Sequence, residues 1–231
     1  MAIITLTTDF GEKDHFAGAI KGAIYTELPE IRIVDISHSI SPFNISEAAY
    51  IIQNAYRSFP KGTIHVIGVD SELNQENKHI GVKLDDHYFI CANNGIMSMI
   101  CTEIAPEKIV EINIHDKIQT SFPVLDVFSK VACHIARGGT LEVIGKTITE
   151  IKPIKNVVPY VNEDKSQIIG SVIYIDNYGN VITNIKKSFF ETIQKGRNFE
   201  ISARSYKFKT IYKKYSEFVN FEIPEDKRHD E

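Results

Sequence analysis

The sequence predicts an α/β protein, with an N-terminal α/β domain on a mainly parallel sheet and a smaller C-terminal domain of antiparallel strands. Two observations carry this. Over roughly the first 70 residues, short β-branched runs alternate with segments of helical spacing, the pattern of strands joined by covering helices. Beyond about residue 166 the strand-like runs crowd together, separated by turn residues.

Ile3 to Thr7 reads as a buried strand. From Asp14 to Leu28 the period changes: Phe16, Ala19, Ile20, Ala23 and Ile24 fall on one helical face, with Asp14 as the expected cap and Pro29 as the stop. Arg32 to Ile36 is a second strand. Asn44 to Ser58 is a second helix, opened by the capping pair Asn44 and Glu47. Thr63 to Val69 is a third strand. Ile80 to Leu84 and Tyr88 to Cys91 flank Asp85-Asp86-His87 as a hairpin. Gly95 to Glu103 and Val124 to Arg137 read as helices, with the strand Lys108 to Ile114 between them.

Composition shifts after Gly138-Gly139. These signals place an N-terminal domain over 1–151, a linker over 152–166 and a C-terminal β domain over 167–231. The last has expected strands at Ile168 to Ile175, Val181 to Ile185, Phe199 to Ala203 and Lys207 to Tyr212. Four strands are few for a free-standing β domain, and the chain ends in the charged run EIPEDKRHDE, so the natural protein is expected to continue further.

The 231 residues suffice for one large domain or two modest ones. Hydrophobic residues make up 43% and charged residues 24%, ordinary for a globular protein. A net charge of −4 argues against a nucleic-acid binder, which needs a basic face. Cys91, Cys101 and Cys133 lack C-x-x-C spacing, so reduced thiols packed as small apolar residues are expected. MAIITLTTDF has no basic start, and no apolar run nears the roughly 20 residues of a membrane helix. A cytoplasmic location is the expectation.

Asp9, Asp35 and Asp70 each follow an apolar strand directly. In an open α/β sheet, ligands bind outside the carboxyl ends of parallel strands. Three carboxylates at one rim can bind a metal, hold ribose hydroxyls or attract a cation, and His38 can add a metal ligand. Alternatively, each aspartate caps the turn or helix that follows it. No G-x-G-x-x-G follows the first strand, and no G-x-x-x-x-G-K-[ST] occurs. In YIDNYGNVITNI (174–185), Asn177 to Asn180 suits a hairpin turn, while Asp176, Thr183 and Asn184 equally suit binding of a zwitterionic group.

Several stretches together resemble one family. TTDFG-x-x-D-x-F-x-G-x-x-KG (7–22), HSISPFNISEAAY (38–50), FPKGTIHVIGVD (59–70), NNGIMS (93–98) and YIDNYGNVITNI are similar to motifs of the S-adenosyl-L-methionine hydroxide adenosyltransferases, relatives of the adenosyl-fluoride and adenosyl-chloride synthases. The resemblance runs, with gaps, from residue 3 to about 190. It implies an N-terminal α/β domain, a C-terminal antiparallel β-barrel-like domain and a homotrimer. The ligand would lie between one subunit's N-terminal domain and its neighbour's C-terminal domain. S-adenosyl-L-methionine would be the substrate, with no cofactor and no metal. Asp9 would hold the ribose hydroxyls, and Phe43 would line the pocket around the reacting carbon. Asp176 and Asn180 would grip the methionine end, with Tyr178 packing nearby, and Asn94 of NNGIMS joins the substrate-binding set.

The family reaction is displacement at the ribose 5′-carbon with release of methionine. Hydrolytic members use an Asp-Arg-His set, of which this chain keeps Asp70. Asn77 stands at the arginine position, with Lys78 and His79 beside it as possible helpers, and Pro123 stands at the histidine. Where the fluoride-using relatives carry hydroxyls, the chain has Leu73 and Val124. The family's C-terminal Asn-Ser motif, which contacts adenine, is not in the sequence. Three functions are therefore expected in order: hydrolysis of S-adenosyl-L-methionine to adenosine and methionine, with halide use as a variant; binding of this ligand or a nucleoside without catalysis; and a carboxylate-metal hydrolase built on Asp9, Asp35, His38 and Asp70.

Overall fold

The first strand, β1 (Ile3–Thr8), is buried on both faces, which is why it reads as an unbroken β-branched run rather than an alternation. Ile4 and Leu6 enter one hydrophobic core, while Thr5 and Thr7 point the other way. This computed structural model describes residues 2–114, 120–154, 158–219 and 221–223.

Helix α1 (Phe16–Glu27) buries Ala17, Ile20 and Ile24, one stripe at helical spacing. Its N-cap is His15 and no side chain caps it, so Asp14 does not fill the expected role. β2 (Arg32–Ser37) is an edge strand with a largely exposed pattern. Asn44 caps α2 (Ile45–Ala55) as its pattern predicts: Asn44 Oδ1 accepts from the Glu47 N–H at 3.1 Å. Glu47 reaches back to the Ser41 N–H and the Asn44 amide, closing the cap. β3 (Ile64–Gly68) is wholly buried.

The hairpin β4 (His79–Leu84) and β5 (His87–Ala92) follows, then the short α3 (Ile96–Ile100) and β6 (Lys108–Ile112). The expected helix after Pro123 divides into a π-helical turn at Val124–Phe128 and a regular α4 (Ser129–Ala136). β7 (Gly145–Ile148), absent from the sequence expectation, adds the far edge. The seven strands take the order β2-β1-β3-β5-β4-β6-β7. Pairs β1–β2, β1–β3 and β3–β5 are parallel, and β4 and β7 run against the other five strands. The sheet is therefore mainly parallel, as predicted. Its core on one face packs α1 and α4, and that on the other packs α2 and α3.

This order matters for function. The chain moves from β1 outward to β2 through α1, then returns past β1 to β3 through α2 on the opposite face. Neighbouring strands whose connections leave in opposite directions open a crevice at their carboxyl ends. Here that crevice lies beyond Thr8 of β1 and Gly68 of β3.

The chain divides into two compact units, one of residues 1–157 with 172–182 and one of 158–171 with 183–231. The stretch 152–166 is not bare connection. The N–H groups of Lys152 and Ile154 donate to Asn93 Oδ1 and Ser98 Oγ, and Tyr160–Val161 forms β8, paired with β9 (Ile168–Ile169). The expected long strand is interrupted at Gly170 and Ser171; a Cβ at Gly170 would meet the Ile185 side chain at 2.5 Å, so that position suits glycine. The second half of that strand, β10 (Val172–Ile175), pairs with β11 (Val181–Thr183), and Tyr174 stacks on Tyr50 of α2 with centroids 4.7 Å apart. In the second unit α5 (Lys187–Gln194) was not expected, and β12 (Ile201–Ala203) pairs with β13 (Tyr206–Phe208). Three two-stranded sheets form; among the described residues no closed barrel does. The charged run 224–231 lies outside the described residues. No helix among them is long and apolar enough to cross a membrane.

Candidate functional site

At the crevice between β1 and β3, Asp9 and Asp70 each sit just past the end of their strand and line one cavity of about 420 Å³. Phe10, Phe16 and Phe122 supply an aromatic wall. Their rings meet pairwise at 5.3–5.7 Å, two of the three contacts edge-on. Phe43, Ser71, Glu72, Leu73, Thr120, Ser121 and Pro123 complete the lining.

Two wall residues have left-handed backbones although neither is glycine: Phe43 at φ 62° and Asp70 at φ 45°. Such conformations persist only where surrounding bonds hold them, and they gather at binding sites. Phe43 is held by Asp9, whose Oδ2 accepts its N–H at 2.8 Å. Phe43 is 74% exposed, open for a ligand to cover. Behind Asp9, the Thr8 hydroxyl and His38 Nδ1 hydrogen-bond at 2.7 Å, and the Gly11 N–H donates to the His38 carbonyl. His38 is thus a buried brace for the strand end.

Asp35 departs from the expected three-carboxylate rim. It lies within β2, where Lys21 of α1 reaches it at 2.5 Å and His38 Nε2 at 3.1 Å. Burial raises its pKa, but the Lys21 ammonium and His38 outweigh that and hold the carboxyl below its ordinary value. The rim carries two of the three aspartates. Among the described residues no group of three or more His, Cys, Asp or Glu side chains is placed to hold a metal.

Of the other residues singled out by sequence, Leu73 and Pro123 line the cavity, whereas Asn77, Lys78, His79 and Asn94 do not. Asn77 Oδ1 accepts from Lys152 Nζ at 3.0 Å. Lys78 offers its carbonyl to the Asn93 N–H. His79 is fully buried beneath the loop, its Nε2 2.9 Å from the Ser71 carbonyl. Val124 is fully buried too; Gly68 has no Cβ because one would approach Val124 Cγ2 to 2.9 Å.

The turn between β10 and β11 is tied together by its own side chains. Asp176 Oδ1 accepts from the N–H groups of Tyr178 and Asn180, and Oδ2 from the Asn180 amide at 2.7 Å. The Asn180 side-chain bond, more than any other contact, keeps the Asp176 carboxyl below its usual range. Tyr178 stands out from this turn at 90% exposure. Asp176, Tyr178 and Asn180 are not part of the cavity lining.

As site residues, sequence reasoning missed Phe10, Phe16, Ser71, Glu72, Thr120, Ser121 and Phe122. Glu72 is two residues past Asp70, and Phe10 follows Asp9, so proximity to a strand-end aspartate was the available signal. The Thr120–Phe122 wall arrives from a distant segment. The Thr120 hydroxyl is tied to Asp126 and accepts the Phe122 N–H, which fixes that approach. All three cysteines are free thiols, as expected. Burial pushes Cys101 and Cys133 up to about 11, and Cys91 higher still.

Comparison with known proteins agrees with this geometry. The chain is 33% identical, over 83% of its length and 72% of the relative's, to an (R)-S-adenosyl-L-methionine hydrolase of Methanocaldococcus jannaschii. It is 23% identical, over 84% of its length and 74% of the relative's, to a fluorinase of Nocardia brasiliensis. A crystal structure of an uncharacterised conserved protein from Thermotoga maritima superposes with a TM-score of 0.78 at 30% identity, over 89% of this chain and 81% of that one. The N-terminal domain of the SAM hydroxide adenosyltransferases matches residues 4–145, and their C-terminal domain matches residues 170–223. With both family domains matched in order and a ligand-sized cavity at the strand ends, this chain belongs to the SAM hydroxide adenosyltransferase family.

Proposed function

We propose that the protein hydrolyses S-adenosyl-L-methionine to adenosine and L-methionine, by attack of water at the ribose 5′-carbon. The observation that carries this is the pair Asp9 and Asp70, set on adjacent parallel strand ends of one cavity with an aromatic wall. The hydrolase and fluorinase relatives support the reaction class.

The chemistry asks little of the protein beyond orientation. The leaving group is a sulfonium that departs as a neutral thioether, so no general acid is required. Water must be held in line with the C5′–S bond, stripped of competing solvent and relieved of a proton. Asp70 is the base in this reading, and Asp9 binds the ribose diol through its remaining carboxylate oxygen. Phe10, Phe16 and Phe122 keep bulk water from the reacting carbon. Asn77 and Pro123 leave Asp70 without the family's arginine and histidine, so its carboxylate takes the proton alone or with Glu72, a third acid in the cavity lining beside Asp9 and Asp70. No cofactor enters this reaction.

The finer assembly belongs to the same proposal. In a homotrimer, the Asp176–Asn180 turn of one copy, with its exposed Tyr178, would meet the methionine end of a ligand held by another. A cytoplasmic location follows the substrate.

Incubation with S-adenosyl-L-methionine in isotopically labelled water, with and without chloride, tests the reaction. Adenosine labelled at the 5′-hydroxyl, with equimolar methionine, is expected by mass spectrometry. A 5′-chlorinated nucleoside would replace the water reading with a halide reading. Saturable binding without product would reduce the protein to a binder, and neither binding nor product would overturn the proposal.

A further inference from the structure

Asn94 is 6% exposed and outside the cavity, yet it grips the residue on which the proposed chemistry depends. Its Nδ2 donates to the carbonyls of both Val69 and Asp70, each at 3.1 Å, and its Oδ1 accepts the Ile96 N–H at 3.2 Å. This pattern fixes the orientation of the amide, since the flipped form would set an oxygen against two carbonyl oxygens. Both N–H donors are used within the protein, on the backbone that carries Asp70.

Asp70 needs such a hold. Its φ of 45° is left-handed, a conformation disfavoured for a residue with a Cβ even though aspartate tolerates it better than most. The Val69 and Asp70 carbonyls both lie at the bend where the chain leaves β3. Anchoring both fixes the peptide plane between them, and with it the direction in which the Asp70 Cα–Cβ bond points. The Asn94 side is itself rigid. Gly95 has a φ of 105°, with Ile154 packed where a Cβ would stand, the Asn93 N–H donates to the Lys78 carbonyl at 2.6 Å, and the Lys152 N–H donates to Asn93 Oδ1 at 2.8 Å.

We infer that Asn94 is a positioning residue: by holding the Val69 and Asp70 carbonyls it aims the Asp70 carboxylate at the attacking water, in place of the orientation that the missing arginine and histidine would provide. The inference rests on the proposed hydrolysis. It separates into a rate effect and a conformational effect, and the second is readable without turnover.

The test uses the full chain with Asn94→Asp, which keeps the acceptor for the Ile96 N–H but removes both donors, and with Asn94→Ala. In each, kcat for adenosine release should fall about 10-fold or more while KM stays within about twofold, because ligand contacts are untouched. A crystal structure of Asn94→Asp should show residue 70 out of the left-handed region. Unchanged kcat in Asn94→Asp, alongside an active parent, would overturn the inference and leave the hydrolase reading intact. So would a rise in KM alone, which would return Asn94 to substrate binding. If the parent protein does not turn over, the hydrolase reading fails; an unaltered Asp70 backbone in Asn94→Asp then overturns the inference as well. Failure of both variants to fold would make Asn94 purely structural and overturn it too.

Discussion

The main-chain N–H of Phe43 donates to Asp9 Oδ2 at 2.8 Å, so one carboxylate both lines the cavity and holds a second residue of its wall. One oxygen holds a left-handed phenylalanine; the other is the one that the proposed reaction assigns to the ribose diol. The two tasks separate by substitution. Asp9→Asn keeps an acceptor for Phe43 but loses the charge that strengthens bonds to hydroxyls, and should weaken S-adenosyl-L-methionine binding about 10-fold. Asp9→Ala also releases Phe43 and should weaken it further, with a loss of about 1 kcal/mol in stability. Calorimetric titration and urea unfolding of both variants read the two effects, and equal affinities would show that the Phe43 tie is idle.

At Asp70 the carboxylate and the backbone are likewise separable. Asp70→Asn should lower kcat about 100-fold or more while leaving stability nearly unchanged, since asparagine also accepts a left-handed backbone. Asp70→Val should be equally inactive and less stable by about 2 kcal/mol, because a β-branched side chain resists φ near 45°. Equal denaturation midpoints for the two would contradict the strained conformation.

The opposite end of β3 predicts an acid response. His65 Nδ1 bonds the Thr5 hydroxyl at 2.7 Å, and Nε2 lies 3.2 Å from His87 Nδ1. Burial, aided by the His87 ring, lowers His65 to about 3, and burial also lowers His87. Both are pushed toward the neutral form in the folded protein, while the unfolded chain takes up protons near the ordinary histidine value of about 6.5. Stability from this pair is complete above that pH. It is lost as pH falls through the window toward 3, with a limiting slope of about 1.4 kcal/mol per pH unit for His65. Urea midpoints between pH 7 and 4.5 should fall more steeply for the parent than for His65→Gln, and parallel profiles would refute the assignment.

A packing prediction concerns the far edge of the sheet. Gly145 opens β7 opposite Ile112, and a Cβ there would lie 1.8 Å from the Glu111 carbonyl oxygen. Backbone has to move to admit it, so Gly145→Ala should lose about 3 kcal/mol or more. Gly138→Ala, where a Cβ meets nothing, provides the control for steric crowding, although its φ of 88° adds its own conformational penalty. A thermal midpoint for Gly145→Ala no lower than for Gly138→Ala would refute the crowding.

What the sequence disclosed follows from which interactions are local. Asp9 and Asp70 were legible because each ends an apolar strand, and the parallel order of β1 and β3 brings strand ends together whatever else the chain does. Asp35 has the same local signature, yet Lys21, on a helix 14 residues earlier, takes its carboxylate away from the rim. The Asn44–Glu47 cap was legible for the same reason that Asp14 misled: capping is local, but α1 opens at His15 with no side-chain cap at all. α5 carries no buried residue and no side-chain N-cap, so its eight residues left little pattern to detect. The wall formed by Thr120 to Phe122 depends wholly on tertiary approach.

The π-helical turn at Val124–Phe128 gives the cavity an unusual dependence on chain length. Such a turn contains one residue more than the regular helix that would replace it. Its buried side chains, Val124, Val127 and Phe128, are anchored in the core and set the phase of α4 behind them. Removing a single residue here would restore ordinary helical bonding while rotating everything before it by about 100° around the axis. Phe122 and Pro123 would swing off the cavity with no change in their own identity. An insertion or deletion in this turn is therefore a rotational control on the aromatic wall, able to reshape the pocket where no substitution has touched it.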